Sequence, residues 1–169
     1  AAVTVRVHGT KDGPAISGQS SGDVTENTSP SVTGTLASGD PDRPDPGTWA
    51  VVGNGVGQFG SLSLDNAGHW TYALANTPNV EALGDGDKVQ ETFAVKVTDS
   101  HGLESSQQIT VNVHGSNDAP SIAGTTSGQV AEDLLSQVSG SLSTTDVDRG
   151  DHATFDATNF IGNYGQLSI

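Results

Sequence analysis

The sequence repeats itself. Val7-His8-Gly9, Asp12, Pro14, Ile16, Gly18, Gly22, Val24 and Glu26 return 106 residues later as Val113-His114-Gly115, Asp118, Pro120, Ile122, Gly124, Gly128, Val130 and Glu132. Val32, Gly34, Leu36, Asp40, Asp42 and Arg43 return as Val138, Gly140, Leu142, Asp146, Asp148 and Arg149. After a one-residue slip, Phe59-Gly60-Ser61-Leu62-Ser63 returns as Tyr164-Gly165-Gln166-Leu167-Ser168. A period of about 100 residues is the size of one sandwich domain. The expected layout is the last strand of a preceding repeat at 1–10, a complete repeat at 11–116 and the N-terminal half of the next at 117–169. The second copy reaches Ile169 before any counterpart of His69-Trp70-Thr71-Tyr72. Half a sandwich has no second layer for its apolar face. Residues from about 120 on are therefore expected to be poorly ordered, or to borrow strands from the N-terminal piece or from another molecule in a strand-swapped self-association.

Charge and composition close off several classes. Twenty acids against six Lys and Arg give a net charge of −14, so nucleic acid and anionic membranes are repelled and neither is an expected partner. No apolar run approaches the roughly 20 residues of a membrane span. The chain has no cysteine, which excludes disulfides, thiolate nucleophiles and Cys-ligated zinc. Of the acids, 15 are Asp and 5 are Glu. Asp favours turns where Glu favours helices, so the charge belongs to loops between strands.

Alternation of apolar and polar residues predicts strands near 14–24, in two pieces, and near 31–37, 48–52, 58–64, 69–74, 91–98 and 107–113. Asp65-Asn66-Ala67-Gly68 and Asp99-Ser100-His101-Gly102 spell the turns of two hairpins. Seven strands in about 100 residues, with no helical period, predict an all-β, immunoglobulin-like Greek-key sandwich in tandem repeat. Trp49, Phe59, Trp70, Tyr72 and Phe93 are its expected large core or near-core residues.

If successive strands alternate in direction, Asp40, Asp42, Asp45 and Asp99 gather at the pole where the chain enters. Glu26, Asp85 and Asp87 gather where it leaves, next to Ser116-Asn117-Asp118-Ala119-Pro120 and ahead of Asp146, Asp148 and Asp151. Carboxylates brought together repel unless solvated, protonated or neutralised by a cation. Calcium fits best, because it accepts six to eight oxygens in flexible geometry. The competing reading is a solvated acidic face. The spacing Asp-x-Asp-x-x-Asp, found at Asp40, Asp42, Asp45 and again at Asp146, Asp148, Asp151, favours the cation.

Val24-Thr25-Glu26-Asn27, Asp40-Pro41-Asp42, Val97-Thr98-Asp99 and Asn117-Asp118-Ala119-Pro120 resemble the calcium-ligand signatures of cadherin repeats. Together with Phe59 to Ser63, Asp65 to Tyr72 and Glu91 to Asp99, the order of motifs is similar to that of VCBS repeats. Those are cadherin-like modules of large RTX-type bacterial adhesins, exported by type I secretion. The resemblance covers nearly the whole chain. It implies a cadherin-like sandwich and an extracellular spacer at the bacterial cell surface, serving cell adhesion and biofilm, whose partners are the neighbouring repeats of the same chain. It also implies Ca2+ at the junctions, with ligands drawn from Asp12, Glu26, Asp40, Asp42, Asp85, Asp87, Asp99, Asn117, Asp118, Glu132, Asp146 and Asp148. The chain departs from the pattern in three places, one being that the counterpart of Asp99 in the second repeat lies beyond Ile169. Lys11 stands where the second linker has Asn117, and Asp85 and Asp87 stand where cadherins carry an Asp-Arg-Glu.

Catalytic readings find little support. Gly18-Gln19-Ser20-Ser21-Gly22 matches a nucleophile-elbow pattern, but no helix follows to expose a serine, and the repeat places Thr126 opposite Ser20. The five histidines share no metal or triad spacing. The Asp-Pro bonds at 40–41 and 45–46 read as rigid loop, and no catalytic residue is assigned. The alternative function is a ligand-binding adhesive module, for which Trp70 and Tyr72, two apart on one strand, would form an exposed platform.

Overall fold

A computed structural model describes residues 1–41 and 47–169. Asp42 and Asp45 lie outside the described residues. The chain divides into two compact units, Ala1–Ser116 and Asn117–Ile169.

Among its described residues the first unit holds eight strands: β1 (Ala15–Gly18), β2 (Ser21–Thr25), β3 (Ser31–Gly39), β4 (Thr48–Val51), β5 (Gly60–Leu64), β6 (His69–Leu74), β7 (Lys88–Thr98) and β8 (Glu104–His114). They form two four-stranded sheets, ordered β1-β3-β6-β5 and β2-β8-β7-β4. This is the expected Greek-key sandwich, with one strand more than the alternation predicts, because the first strand changes sheets. Gly18 makes the change: its φ is +112, and a Cβ there would lie 2.4 Å from the Thr35 carbonyl oxygen, a conformation and a fit open to glycine alone. After the break, β2 runs parallel to β8, pairing Ser21 with Thr110 through to Thr25 with His114. All other pairings in the unit are antiparallel.

Alternation puts one face of each sheet inside. Val95, Val97, Ile109, Val111 and Val113 of β7 and β8, with Val24 of β2 in the same sheet, meet Leu36, Leu62, Trp70 and Tyr72 of the other, all buried. Trp70 fits because β3 offers Gly34, where a Cβ would come within 2.4 Å of the indole ring. The Trp70 Nε1–H donates to the Gln19 carbonyl at 2.8 Å, satisfying its one polar atom at the sheet switch. Trp49 and Phe93 are buried and Phe59 is half-buried against this core.

Both hairpin turns are built alike. Asp65 Oδ1 accepts from the amides of Ala67 and His69, and Asp99 Oδ1 from those of His101 and Leu103. The Asp side chain thus acts as the first residue of each turn, the local reason Asp is preferred there.

The second unit holds β9 (Ser121–Gly124), β10 (Leu142–Thr145), β11 (Asn159–Gly162) and β12 (Gly165–Ser168) in two two-stranded antiparallel sheets. The β9–β10 register, Gly124 to Leu142 and Ser121 to Thr145, reproduces the β1–β3 register of Gly18 to Leu36 and Ala15 to Gly39. Residues 127–131, the counterpart of β2, belong to no strand, and all five are exposed.

Candidate metal centres

Within the first unit, the end where β2 and β8 finish gathers two carboxylates. Glu26 follows β2 directly. Its amide donates to the His114 carbonyl at 3.0 Å, and Asn27, at φ 59, turns the chain back. The side chain is thereby folded inward, 2% exposed, with Oε2 accepting from the Ser116 amide at 3.3 Å. Glu81 lies in the turn between β6 and β7, which is pinned by buried Val80 and Leu83 and by Thr77 O accepting from the amides of Val80 and Glu81. One oxygen of Glu26 lies within 4.8 Å of one of Glu81. At an effective dielectric near 20, two charges at that distance repel by roughly 3 kcal/mol before solvent screening. A cation would reverse the sign of that interaction.

Asp85 and Asp87 occupy the same loop but are exposed, and with Asp23, Thr25 and His114 they line a shallow hollow. Asp23 Oδ1 accepts from His114 Nε2 and Asn112 Nδ2, both at 3.1 Å. The His114 bond, then the Asn112 bond, holds its carboxyl below the usual range. Sequence reasoning found Asp85 and Asp87 and missed Glu81. The available signal was an acid set between Val80 and Leu83 in a loop that must bury something apolar.

At the opposite end of the first unit, Asp12 is exposed, Asp40 is half-buried just after β3, and Asp99 is 7% exposed. Asp99 Oδ1 is committed to its turn, which leaves Oδ2 for any cation. Asp42 cannot be placed, being outside the described residues.

Within the second unit, the loop after β10 brings one carboxylate oxygen each of Asp146, Asp148 and Asp151 within 4.8 Å of one another. Asp146 Oδ1 accepts from the Asp148 amide at 3.1 Å, and Asp148 Oδ2 from the Asp118 amide at 2.8 Å. Asp148 is 4% exposed, yet its Oδ1 has no hydrogen-bond partner among the described residues. A buried carboxylate oxygen without a donor is costly and calls for one. Asn117 is exposed and donates through Nδ2 to the Asp118 carbonyl, and Glu132 is exposed and belongs to neither cluster.

The donors at both clusters are oxygens alone, with no cysteine in the chain, a set suited to a hard cation and unsuited to zinc. A different buried carboxylate is fully engaged by the protein. Glu91, 8% exposed, accepts from the Tyr72 hydroxyl at 2.6 Å and the Phe59 amide at 2.9 Å, and also from the Gln58 amide. Trp70 and Tyr72 are 0% exposed, so the expected aromatic platform for a ligand is not there. Their strand faces the core, and they serve as its centre. The Gly18 to Gly22 segment is the link between β1 and β2, two strands with no helix at either end. Among the described residues, no helix is long and apolar enough to cross a membrane.

Residues 11–115 match the profile of the bacterial cadherin-like domain. No curated protein matches the chain. Among solved structures it is similar to the one titled "PcdhgB3 EC1-4 in 50 mM HEPES", at 16% identity and a TM-score of 0.52, over 92% of this chain and 40% of that one. It is also similar to "Protocadherin gammaB7 EC3-6 cis-dimer structure", at 20% identity and a TM-score of 0.47, over 93% and 39%. The chain thus spans about two fifths of the length of these solved chains. At 16% identity, the first likeness speaks for the fold. With the profile covering residues 11–115 of 169, the chain belongs to the bacterial cadherin-like domain family.

Proposed function

We propose that this chain is a stretch of extracellular spacer from a large bacterial surface adhesin, of the VCBS kind, in which Ca2+ at the repeat junction fixes one repeat against the next. The observation that carries the reading is Asp148, whose buried Oδ1 has no donor among the described residues while carboxylate oxygens of Asp146 and Asp151 gather beside it. Glu26 and Glu81 supply the other carboxylates, at the end of the first unit from which Ser116 leads into Asn117 and Asp118. Two residues of chain span at most about 7 Å, so the linker acids stay within reach of a cation held by Glu26. Asp146, Asp148 and Asp118 are the ligands proposed on the second unit, and Asp99, Asp12 and Asp40 those of the equivalent junction at the other end. Asp85 and Asp87 add negative field at the rim. Calcium sites of extracellular modules fill at roughly 10⁻⁴ to 10⁻³ M, so the chain would load outside a cell and stay empty in the cytosol.

The test is calorimetric titration of Ca2+ together with thermal unfolding. At ten times Kd, a single site adds about 1.4 kcal/mol. The melting temperature should rise with calcium, fall back with chelator, and rise less in Asp148→Asn and Asp118→Ala. Absence of binding heat at millimolar calcium would end the proposal.

A further inference from the structure

We infer that Asn54 is a site of self-modification: in the folded chain its side chain closes on the Gly55 amide, loses ammonia and becomes Asp or isoAsp. Asn54-Gly55 is the one Asn-Gly step in the sequence, and every other asparagine is followed by a residue with a side chain. Glycine leaves the attacking nitrogen unshielded. The fold also keeps that glycine in place. Gly55 has φ +68, and a Cβ there would lie 2.4 Å from the Leu62 carbonyl oxygen, so no bulkier residue fits beside Asn54 to slow the reaction.

The loop between β4 and β5 readies electrophile, nucleophile and leaving group together. Asn54 Oδ1 accepts from the Val56 amide at 3.1 Å, a local bond that folds the side chain over the Gly55 peptide. This donor is aimed at the oxygen on which negative charge gathers when a nucleophile adds to Cγ. The Gly55 amide has no acceptor among the described residues, so its nitrogen loses no hydrogen bond in turning on the side chain. Asn54 Nδ2 is likewise unengaged among the described residues. Around the buried Gly55, Gly53, Asn54 and Val56 are exposed, so hydroxide reaches the loop and ammonia leaves it. Asn66 is the contrast within the same unit. It is exposed too, but the amide that would attack it, that of Ala67, is held by Asp65 Oδ1 at 2.9 Å.

The chemistry balances with water alone. The Gly55 nitrogen gives its proton to hydroxide and bonds to Asn54 Cγ, the Cγ–Nδ2 bond breaks, and Nδ2 takes a proton from water to leave as ammonia. Water then opens the five-membered imide. Cleavage at Cγ yields Asp, and cleavage at the main-chain carbonyl yields isoAsp, whose backbone runs through the former side chain. Either product adds one negative charge to a chain that stands at −14. IsoAsp also lengthens the main chain by one carbon, in a loop anchored by the Leu62 amide on the Gly55 carbonyl at 2.8 Å and by the Gln58 and Phe59 amides on Glu91. Those anchors are set for the shorter backbone. The inference rests on no cation and on no reading of where the protein works, and the extent of conversion records the age of the chain.

Peptide mapping by mass spectrometry of the full chain, held folded near pH 7 and near pH 8, tests it. Asn54 should pass into a mixture of Asp and isoAsp with release of ammonia, roughly tenfold faster for each pH unit, because the attacking nitrogen must first shed its proton. Asn66 should convert about a hundredfold more slowly, and in urea, where both turns are lost, that gap should shrink. Asn54→Gln should stay unmodified at this position. The isoAsp form should unfold at a lower urea concentration than Asn54→Asp, which carries the same charge on the ordinary backbone. An Asn54 that stays an amide in the folded chain while it converts in urea overturns the inference, as does an Asn66 that keeps pace with it. Equal urea midpoints for the isoAsp form and Asn54→Asp would overturn the part assigned to the loop anchors.

Discussion

Leu62 and Leu167 occupy the same place in the repeat, as do Val24 and Val130, yet the first of each pair is 5% and 1% exposed and the second 58% and 63%. The local sequence is nearly the same, and β9 and β10 even keep the register of β1 and β3. What differs is the presence of β7 and β8, which face Leu62 from the other sheet and continue the sheet beside Val24. In the first unit, β7 and β8 bring Val95, Val97, Ile109, Val111 and Val113 over the face. Residues 117–169 hold no counterpart of them. Strand pattern chooses which side chains face inward, and only distant partners turn facing inward into burial.

The widest gap between the units is expected in amide exchange. Core amides of β7 and β8 should exchange at the rate of global unfolding, and those of β9 to β12 roughly a thousandfold faster, given an ordinary domain stability. Equal protection in both units would break the comparison. Truncation gives the next contrast. Leu62→Ala should cost about 2 to 5 kcal/mol, and Leu167→Ala about 0.5 kcal/mol or less. Both tryptophans lie in the first unit, so fluorescence-detected unfolding in urea reads the first change cleanly and should miss the second.

A smaller effect concerns the Tyr72–Glu91 pair. Burial, and then the bond and charge of Glu91, push the Tyr72 phenol up from its ordinary value. A raised value means the folded state favours the protonated phenol. Its contribution is complete below about pH 10, the unfolded value, and declines above it as the unfolded chain ionises. Tyr72→Phe should cost about 2 kcal/mol by leaving a carboxylate oxygen without its donor, and should flatten the alkaline limb of the stability profile. The least effect is expected from Asp23→Gln, which gives β2 the residue found at Gln129. Asp23 titrates low because of His114 and Asn112, so its contribution is present above about pH 4 and lost as pH falls through its folded value. For so exposed a group it amounts to about 0.5 kcal/mol, measurable as a reduced acid dependence of the urea midpoint.

Most of the sandwich was legible because its information is local. The hairpin turns at Asp65 and Asp99, the alternation in β6 to β8 and the aromatic core all read directly from residue order. Strand parity alone put Glu26 and Asp87 at one end and Asp99 at the other. What was missed depended on contacts far apart in sequence. Glu81 becomes a candidate ligand only because Val80 and Leu83 pin its turn so that it stands beside Glu26. Glu91 was readable in principle, since it shares the inward parity of Phe93 and Val95. Its partners, Tyr72 and the amides of Gln58 and Phe59, lie 19 to 33 residues away. The sheet switch at Gly18 was visible as a broken strand, but not as a change of layer.

The parallel pairing of β2 with β8 also decides how the first unit would answer a mechanical pull. The chain enters at the end where β8 begins and leaves where β8 finishes, so stretching drags β2 one way and β8 the other along their common axis. The rungs from Ser21–Thr110 to Thr25–His114 are then loaded together, in shear, instead of being peeled one after another. Rupture must break several hydrogen bonds at once, and the lifetime under force is set by that barrier more than by equilibrium stability.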